Sequence, residues 1–238
     1  MTRRVIKAMV GSVALAILSG ACVQKGDGGG DGNGHKEIDL VVTDMRSWDA
    51  CEVLDDLQPF ADFLGVEEFT ATVSGGNRPD STAWGKSSRD PDGVVCGAGI
   101  DLGSIGGMPA VGGLLVSIVP AESEQQAQDF YDERASWIDG NGVLELARKD
   151  IGDPWELGIL LAKSAESGAT EYVSVVAREE QWAIYISLSF TGDYSAQNGG
   201  EPDYQFTNEE LHGWLIDTYL PGMHQAINDR IEKGPGFE

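Results

Sequence analysis

The residue whose surroundings most clearly predict a chemical reaction is Cys22, the first of three cysteines. The segment ahead of it has a basic start and an apolar run: Arg3, Arg4 and Lys7, followed by Ala8 to Leu18. Small side chains at Gly20 and Ala21 would give a peptidase access to the bond before Cys22, whose thiol would then carry a diacylglycerol. This order is typical of an export signal. We therefore predict that residues 1–21 are a lipoprotein signal peptide and that Cys22 is lipidated.

Lipidation at Cys22 predicts a location on the extracytoplasmic face of the cell membrane. Two or three acyl chains such as palmitate, each burying about 0.8 kcal/mol per CH₂, hold a protein far more firmly than one chain. Leu18 lies four residues before Cys22, and an ordinary secretory signal cut near Ala21 is the alternative. A spanning anchor is disfavoured because the apolar run is shorter than the roughly 20 residues that a transmembrane helix needs.

The two remaining cysteines, Cys51 and Cys96, form an even pair in a chain with an export signal. Exported proteins reach oxidising compartments, where paired cysteines are commonly oxidised. We predict a disulfide between them, which in the chain-entropy account stabilises the fold by roughly 4 kcal/mol. A free reactive thiol and a metal site are the alternatives, although neither cysteine has a histidine or a further cysteine near it in sequence.

The charge of the chain excludes some classes of partner. The formal net charge is −23, and removal of residues 1–21 takes away three of 16 basic residues and none of 39 acidic ones, which leaves −26. Such a surface disfavours nucleic acid and anionic lipid headgroups. Solubility outside the cytoplasm is the simplest explanation, and attraction of basic partners or cations is the alternative.

The elements that must position these cysteines follow a glycine-rich flexible tether over residues 22–36. A single globular domain is expected over residues 37–238. Alternating or continuous apolar runs predict these strands: Ile38–Val42, Phe69–Val73, Val94–Leu102, Leu114–Val119, Val143–Ala147, Leu157–Lys163, Glu171–Arg178 and Trp182–Phe190. Capping residues and apolar stripes predict helices beginning at Asp49, Pro59, Ser123 and Thr207, the last continuing through Pro221. This order predicts an α+β fold in which helices pack on a mainly antiparallel sheet.

Four features of the sequence together carry a resemblance to known proteins: Cys22, Asp49-Ala50-Cys51-Glu52-Val53-Leu54, Pro59 before Leu64-Gly65, and Cys96. With these features the chain resembles an uncharacterised family of actinobacterial lipoproteins. In that family the second cysteine of the domain pairs with the first. The resemblance also implies a PsbP-like α/β/α sandwich and an accessory or binding role.

The sequence contains no recognised catalytic motif, and we assign no catalytic residue, metal ligand or cofactor. His35 falls in the tether, and His212 and His224 are twelve residues apart on the last helix, where we expect surface positions. Four acidic pairs are expected to be solvated: Asp55-Asp56, Glu67-Glu68, Glu179-Glu180 and Glu209-Glu210.

Trp84 is the candidate ligand-contacting residue, because it lies in the middle of a long polar loop over residues 74–93. The alternative is that its ring packs on the core. We therefore expect a binding or accessory module of the cell envelope, with an envelope protein or a small hydrophobic molecule as partner. An envelope hydrolase of unrecognised type and a structural spacer without a ligand are the alternatives.

Overall fold

The computed structural model describes residues 41–70, 78–81, 93–138, 143–165 and 167–234. The predicted signal peptide, the lipidation site Cys22, the tether, His35 and the candidate ligand residue Trp84 lie outside these ranges. The predictions made for them therefore stay predictions.

Seven antiparallel strands form one sheet in the spatial order β1-β2-β3-β7-β6-β5-β4. In chain order they are β1 (Glu68–Thr70), β2 (Val94–Ile105), β3 (Met108–Pro120), β4 (Val143–Asp150), β5 (Leu157–Ala165), β6 (Thr170–Glu179) and β7 (Trp182–Thr191). Strands β1 to β3 form one antiparallel meander, and strands β4 to β7 form a second. The last strand of the second meander, β7, pairs with β3, which joins the two meanders into one sheet.

The helices lie before, between and after these meanders. Among the described residues a helical segment at residues 41–45 comes first. It is followed by α1 (Ala50–Val53), α2 (Gln58–Leu64), α3 (Glu124–Ile138), α4 (Tyr194–Gln197), α5 (Asn208–Trp214) and α6 (Leu220–Lys233). A 3₁₀ turn, Asp55–Leu57, joins α1 to α2, and a π-helical segment, Leu215–Tyr219, joins α5 to α6. None of the helices among the described residues is long and apolar enough to span a membrane.

Both faces of the sheet are covered, because alternate residues of β5 belong to different apolar clusters. Leu160 and Ala162 contribute to the large core that includes residues of α1, α2, α5 and α6. Ile159 and Leu161 point the other way, into a small cluster with Phe130, Tyr131 and Ala135 of α3. Successive strand side chains point to opposite faces, so the fold has a helical layer on each side of the sheet. The predicted α+β class with a mainly antiparallel sheet is confirmed.

The predicted disulfide is also confirmed, and it joins α1 to strand β2. The Cys51 and Cys96 sulfurs are 2.02 Å apart, and both residues are buried. Asp49 caps α1 as predicted, since its carboxylate accepts a hydrogen bond from the Cys51 amide at 2.9 Å. The bond closes a segment of 45 residues around β1 and the described part of the polar loop.

One strand prediction is wrong where it can be tested. Residues 38–40 lie outside the described ranges, but residues 41–45 are helical rather than extended. Val42 and Met45 are both buried, and their spacing of three residues suits one face of a helix. The Trp48 indole N–H also donates a hydrogen bond to the Asp44 carboxylate at 2.9 Å, one helical turn back. An apolar run of five residues does not distinguish these two structures.

Removing the disulfide by the double change Cys51→Ala and Cys96→Ala should destabilise the domain by about 4 kcal/mol, because the unfolded chain regains the entropy of an open loop. Urea denaturation of the two proteins would measure the difference in the free energy of unfolding. Dithiothreitol should destabilise the wild-type protein similarly and leave the double variant unchanged. A loss below about 1 kcal/mol would contradict this account of the disulfide.

Candidate functional site

An apolar cleft of about 280 Å³ lies between the α1–α2 segment and the C-terminal helix. Its apolar walls consist of Val53, Leu54, Pro59, Trp214, Tyr219 and Met223. Asp55 and Thr218, both exposed, supply polar groups. The cleft is open to solvent and has apolar walls with few polar groups, which are features of small-molecule binding sites.

The first wall of the cleft includes a turn with unusual backbone geometry. Asp55, Asp56 and Leu57 have φ values of 52°, 48° and 58°, in the left-handed region. Aspartate tolerates this region better than most residues, but leucine rarely adopts it. Burial of the Leu57 and Phe60 side chains, both 0% exposed, holds the turn in place. Strained backbone persists only where its surroundings enforce it, and it is concentrated at functional sites.

The second wall is built around the π-helical segment Leu215–Tyr219, in which the Leu220 amide donates to the Leu215 carbonyl. Pro221 follows directly and has no N–H to donate to the carbonyl of Asp217, four residues back. The helix therefore loses one regular hydrogen bond at this point, and a wider turn accommodates the change. Such π segments are frequent at functional sites.

Tyr219, at the end of the π segment, presents a buried hydroxyl group with an unmet hydrogen bond. The residue is 7% exposed, and its hydroxyl has no hydrogen-bond partner among the described residues. Its ring is fixed by Phe60 and Trp214, at centroid distances of 4.4 Å and 5.3 Å. Burial raises the pKa of the phenol far above its ordinary value, so the hydroxyl stays protonated. The group is a fixed, neutral donor or acceptor in an apolar site.

Gly222 leaves space in the same wall one turn further on. A Cβ atom at this position would meet no atom of the described residues within 4 Å, apart from its own helix and chain neighbours. Glycine in a helix interior costs about 1 kcal/mol relative to alanine. No backbone requirement explains it, because Gly222 has ordinary helical geometry, unlike the glycines with positive φ. Its effect is to keep the cleft open.

The two histidines of the last helix do not share a site. His212 is buried at 4% exposure, so the expected surface position is wrong for this residue. The available sequence signal was Leu215, which lies three residues further on the same helix face and is also buried. His224 is partly buried against Trp155 and Trp182, at ring distances of 5.0 Å and 5.8 Å.

The acidic pairs are mostly solvated, as expected. Their residues are exposed except Glu179, which is partly buried 3.8 Å from the His224 Nε2 atom. Among the described residues no three acidic, histidine or cysteine side chains are grouped to hold a metal ion.

The cleft residues were missed from the sequence because most of them are apolar and they come from segments about 160 residues apart. The one available signal was Pro221 inside an apolar stripe.

No protein-family model, curated protein or solved structure matches this chain. The resemblance to actinobacterial lipoproteins stays a prediction.

His212 should make stability fall as the pH falls from 7 to 5. Burial, helped by the charge of Lys149 and opposed by Glu209, lowers the pKa of His212 to about 4. In the unfolded chain it takes up a proton near pH 6.5, so protons favour unfolding within this range. The expected loss is about 1–2 kcal/mol at pH 5.

Urea denaturation at pH 7, 6 and 5 would measure this dependence in wild type and in His212→Leu. The leucine cannot titrate, so the variant should show a smaller loss over the same range. Equal losses in the two proteins would show that His212 is not the responsible group.

Proposed function

We propose that this chain is a lipoprotein anchored through Cys22 on the extracytoplasmic face of the cell membrane. Its domain would act as a binding module of the cell envelope. The ligand we propose is a small apolar molecule with one hydrogen-bond acceptor, bound in the Tyr219 cleft. The observation that carries this proposal is Tyr219, which lines this mostly apolar cleft and whose buried hydroxyl has no hydrogen-bond partner among the described residues.

The energetics of that hydroxyl favour a ligand with an acceptor. A buried polar group without a partner costs about 1–3 kcal/mol. A carbonyl or ether oxygen placed against Tyr219 would recover this energy, while the apolar part of the ligand would contact Val53, Leu54 and Met223. The volume of about 280 Å³ is close to the lower end of the about 300–1,000 Å³ range of ligand pockets, so a ligand of modest size fits best.

The construction of the two walls supports the same proposal. The left-handed residues Asp55 to Leu57, the π segment and Gly222 each depart from the most stable local structure. They all lie in or beside one cleft. Local departures of this kind are expected where a binding surface, rather than stability, determines the sequence.

Two observations support the predicted extracytoplasmic location. The Cys22 segment has the order of a lipoprotein signal. The Cys51–Cys96 disulfide is buried and agrees with folding in an oxidising compartment. The proposed kinship with actinobacterial lipoproteins would add an accessory role in the cell envelope, as that resemblance implies.

Tyr219→Phe should weaken binding of 2-octanone about tenfold and leave binding of octane unchanged. The two probes have similar apolar chains, but only the ketone can accept a hydrogen bond from the tyrosine hydroxyl. A tenfold loss corresponds to about 1.4 kcal/mol, the size of one hydrogen bond. Fluorescence of Trp214, with the other tryptophans as constant background, or calorimetry of the mature Cys22→Ser chain would measure both affinities.

Gly222→Leu should abolish binding of both probes, because the new side chain would fill the cleft. Gly213→Leu is the matched control, since Gly213 lies in α5, does not line the cleft and, outside its own helix, has no described atom within 4 Å of where a Cβ atom would lie. Both changes replace a helical glycine, so both should preserve folding. Equal binding by wild type and Gly222→Leu would exclude this cleft as the ligand site.

Cys22→Ser should move the full-length protein from the membrane fraction to the soluble exported fraction of an actinobacterial host. Serine has no thiol to accept the diacylglycerol, so the acyl chains that hold the protein would be absent. Immunoblots of the two fractions and the intact mass of the wild-type protein would measure this. Membrane retention of a Cys22→Ser chain that has lost residues 1–21, or a wild-type mass without acyl chains, would contradict the predicted anchor.

A further inference from the structure

A second cavity, of about 210 Å³, lies at the end of strands β6 and β7, beside α4 and the start of α5. Its lining differs from that of the Tyr219 cleft, since it combines carboxylates with aromatic rings. The residues that matter are Glu171, Phe190, Asp193, Gln197, Tyr204 and Phe206. Among the described residues the two cavities share no lining residue, so this inference is independent of the proposed function.

Glu171 is a buried carboxylate without a cationic partner among the described residues. The residue is 5% exposed, and one of its oxygens accepts a hydrogen bond from the Gln197 amide at 3.2 Å. The same NH₂ group donates its other N–H to the Gly168 carbonyl at 3.0 Å, so both of its donors are used. Glutamate is almost never buried unless it is paired. The carboxylate of Glu171 thus has one neutral donor and no cationic partner among the described residues.

Asp193 adds a second negative charge to the wall of this cavity. It is 8% exposed, and its carboxylate accepts hydrogen bonds from the backbone amides of Ala196, Asp203 and Tyr204. These bonds fix the carboxylate without supplying a positive side chain. The cavity therefore contains two anchored carboxylates.

Tyr204 lies in the negative electrostatic potential of these carboxylates. Burial and then the charges of Asp193, Glu171 and Asp203 raise the pKa of its phenol. The Tyr204 hydroxyl donates to the Thr191 carbonyl at 2.7 Å, which leaves its oxygen able to accept. Phe206 stacks on the Tyr204 ring at a centroid distance of 5.1 Å, so aromatic rings form part of the lining.

The nearby start of helix α5 does not cancel this potential. The positive end of a helix favours anions, but here Glu210 supplies the anion through a capping box with Thr207. The Glu210 carboxylate accepts the Thr207 amide and hydroxyl at 2.8 Å and 2.9 Å. These hydrogen bonds lower the pKa of Glu210, so its charge persists at this helix end.

We propose that the Glu171 cavity binds a primary ammonium group. An ammonium has three N–H donors, and the Glu171 carboxylate and the Tyr204 oxygen have lone pairs left to accept hydrogen bonds from them. Its carbon chain would contact Phe190 and Phe206, where aromatic rings also favour a cation. The overall charge of −23 would raise the local concentration of such a ligand. The ligand class is a small amine, either free or as the headgroup of an envelope lipid.

Ethanolamine is the probe, and ethylene glycol, its neutral analogue of similar size, is the chemical control. NMR of the ¹⁵N-labelled mature Cys22→Ser chain should show saturable shifts of the Gln197 side-chain amide with ethanolamine alone. For a ligand of four heavy atoms we expect a Kd of roughly 1 mM, which is well inside the limit set by ligand size.

Glu171→Gln should weaken ethanolamine binding at least tenfold, because it removes the charge and keeps the shape. Glu201→Gln is the matched control, since it removes the same charge from an exposed residue that does not line the cavity. It should leave the affinity within about twofold, as expected for a screened surface charge. Binding to vesicles containing phosphatidylethanolamine, compared with phosphatidylcholine vesicles, would separate a lipid headgroup from a free amine.

Saturable Gln197 shifts that are lost in Glu171→Gln and kept in Glu201→Gln would support the proposal, whichever vesicle result accompanies them. The absence of ethanolamine-dependent shifts at Gln197 in the wild-type chain would overturn it, even if the Glu171→Gln protein does not fold. Equal shifts with ethylene glycol would also overturn it, because they would show that the charge is not recognised.

Discussion

The missing N–H of Pro221 is the constraint on which the C-terminal helix and the cleft depend. The buried or partly buried residues Leu211, Leu215, Tyr219, Met223, Ile227 and Ile231 recur every four positions. A regular α-helix turns about 400° over four residues, so such a stripe would drift by about 40° at each step. The π segment just before Pro221 contains more residues per turn and offsets part of this drift. Leu211 and Ile227, on either side of the segment, both lie in the large core.

The opposite wall is held to the same core by covalent and aromatic contacts. The disulfide joins α1 to β2, and Phe60 of α2 packs edge-on against Trp214 and Tyr219, at 5.2 Å and 4.4 Å between ring centroids. The exposed Arg230–Glu52 ion pair at 3.1 Å also connects α6 to α1. An exposed pair of this kind contributes little to stability. The disulfide and the aromatic contacts therefore set the relative position of the two walls.

Strand positions and helix caps could be predicted from sequence because they depend on local patterns. The alternation of Trp182, Ile184, Ile186 and Leu188 predicts a strand with these side chains on one buried face, and all four are buried. The Thr207–Glu210 capping box could also be predicted, because it depends only on residues that are close in sequence. The segment 38–42 was ambiguous because a short apolar run suits a helix or a strand. The cleft could not be predicted, since it depends on packing between segments that are far apart in sequence. No local sequence pattern indicates that the Tyr219 hydroxyl lacks a hydrogen-bond partner or that Glu171 is buried.

The most direct test of the proposed cleft is a high-resolution crystal structure of the mature Cys22→Ser chain soaked with 2-octanone. We expect electron density for the ligand between the two walls, with its carbonyl oxygen about 2.7 Å from the Tyr219 hydroxyl. A structure in which the Tyr219 hydroxyl bonds to another protein group, while the cleft holds no ligand, would contradict the proposed binding site.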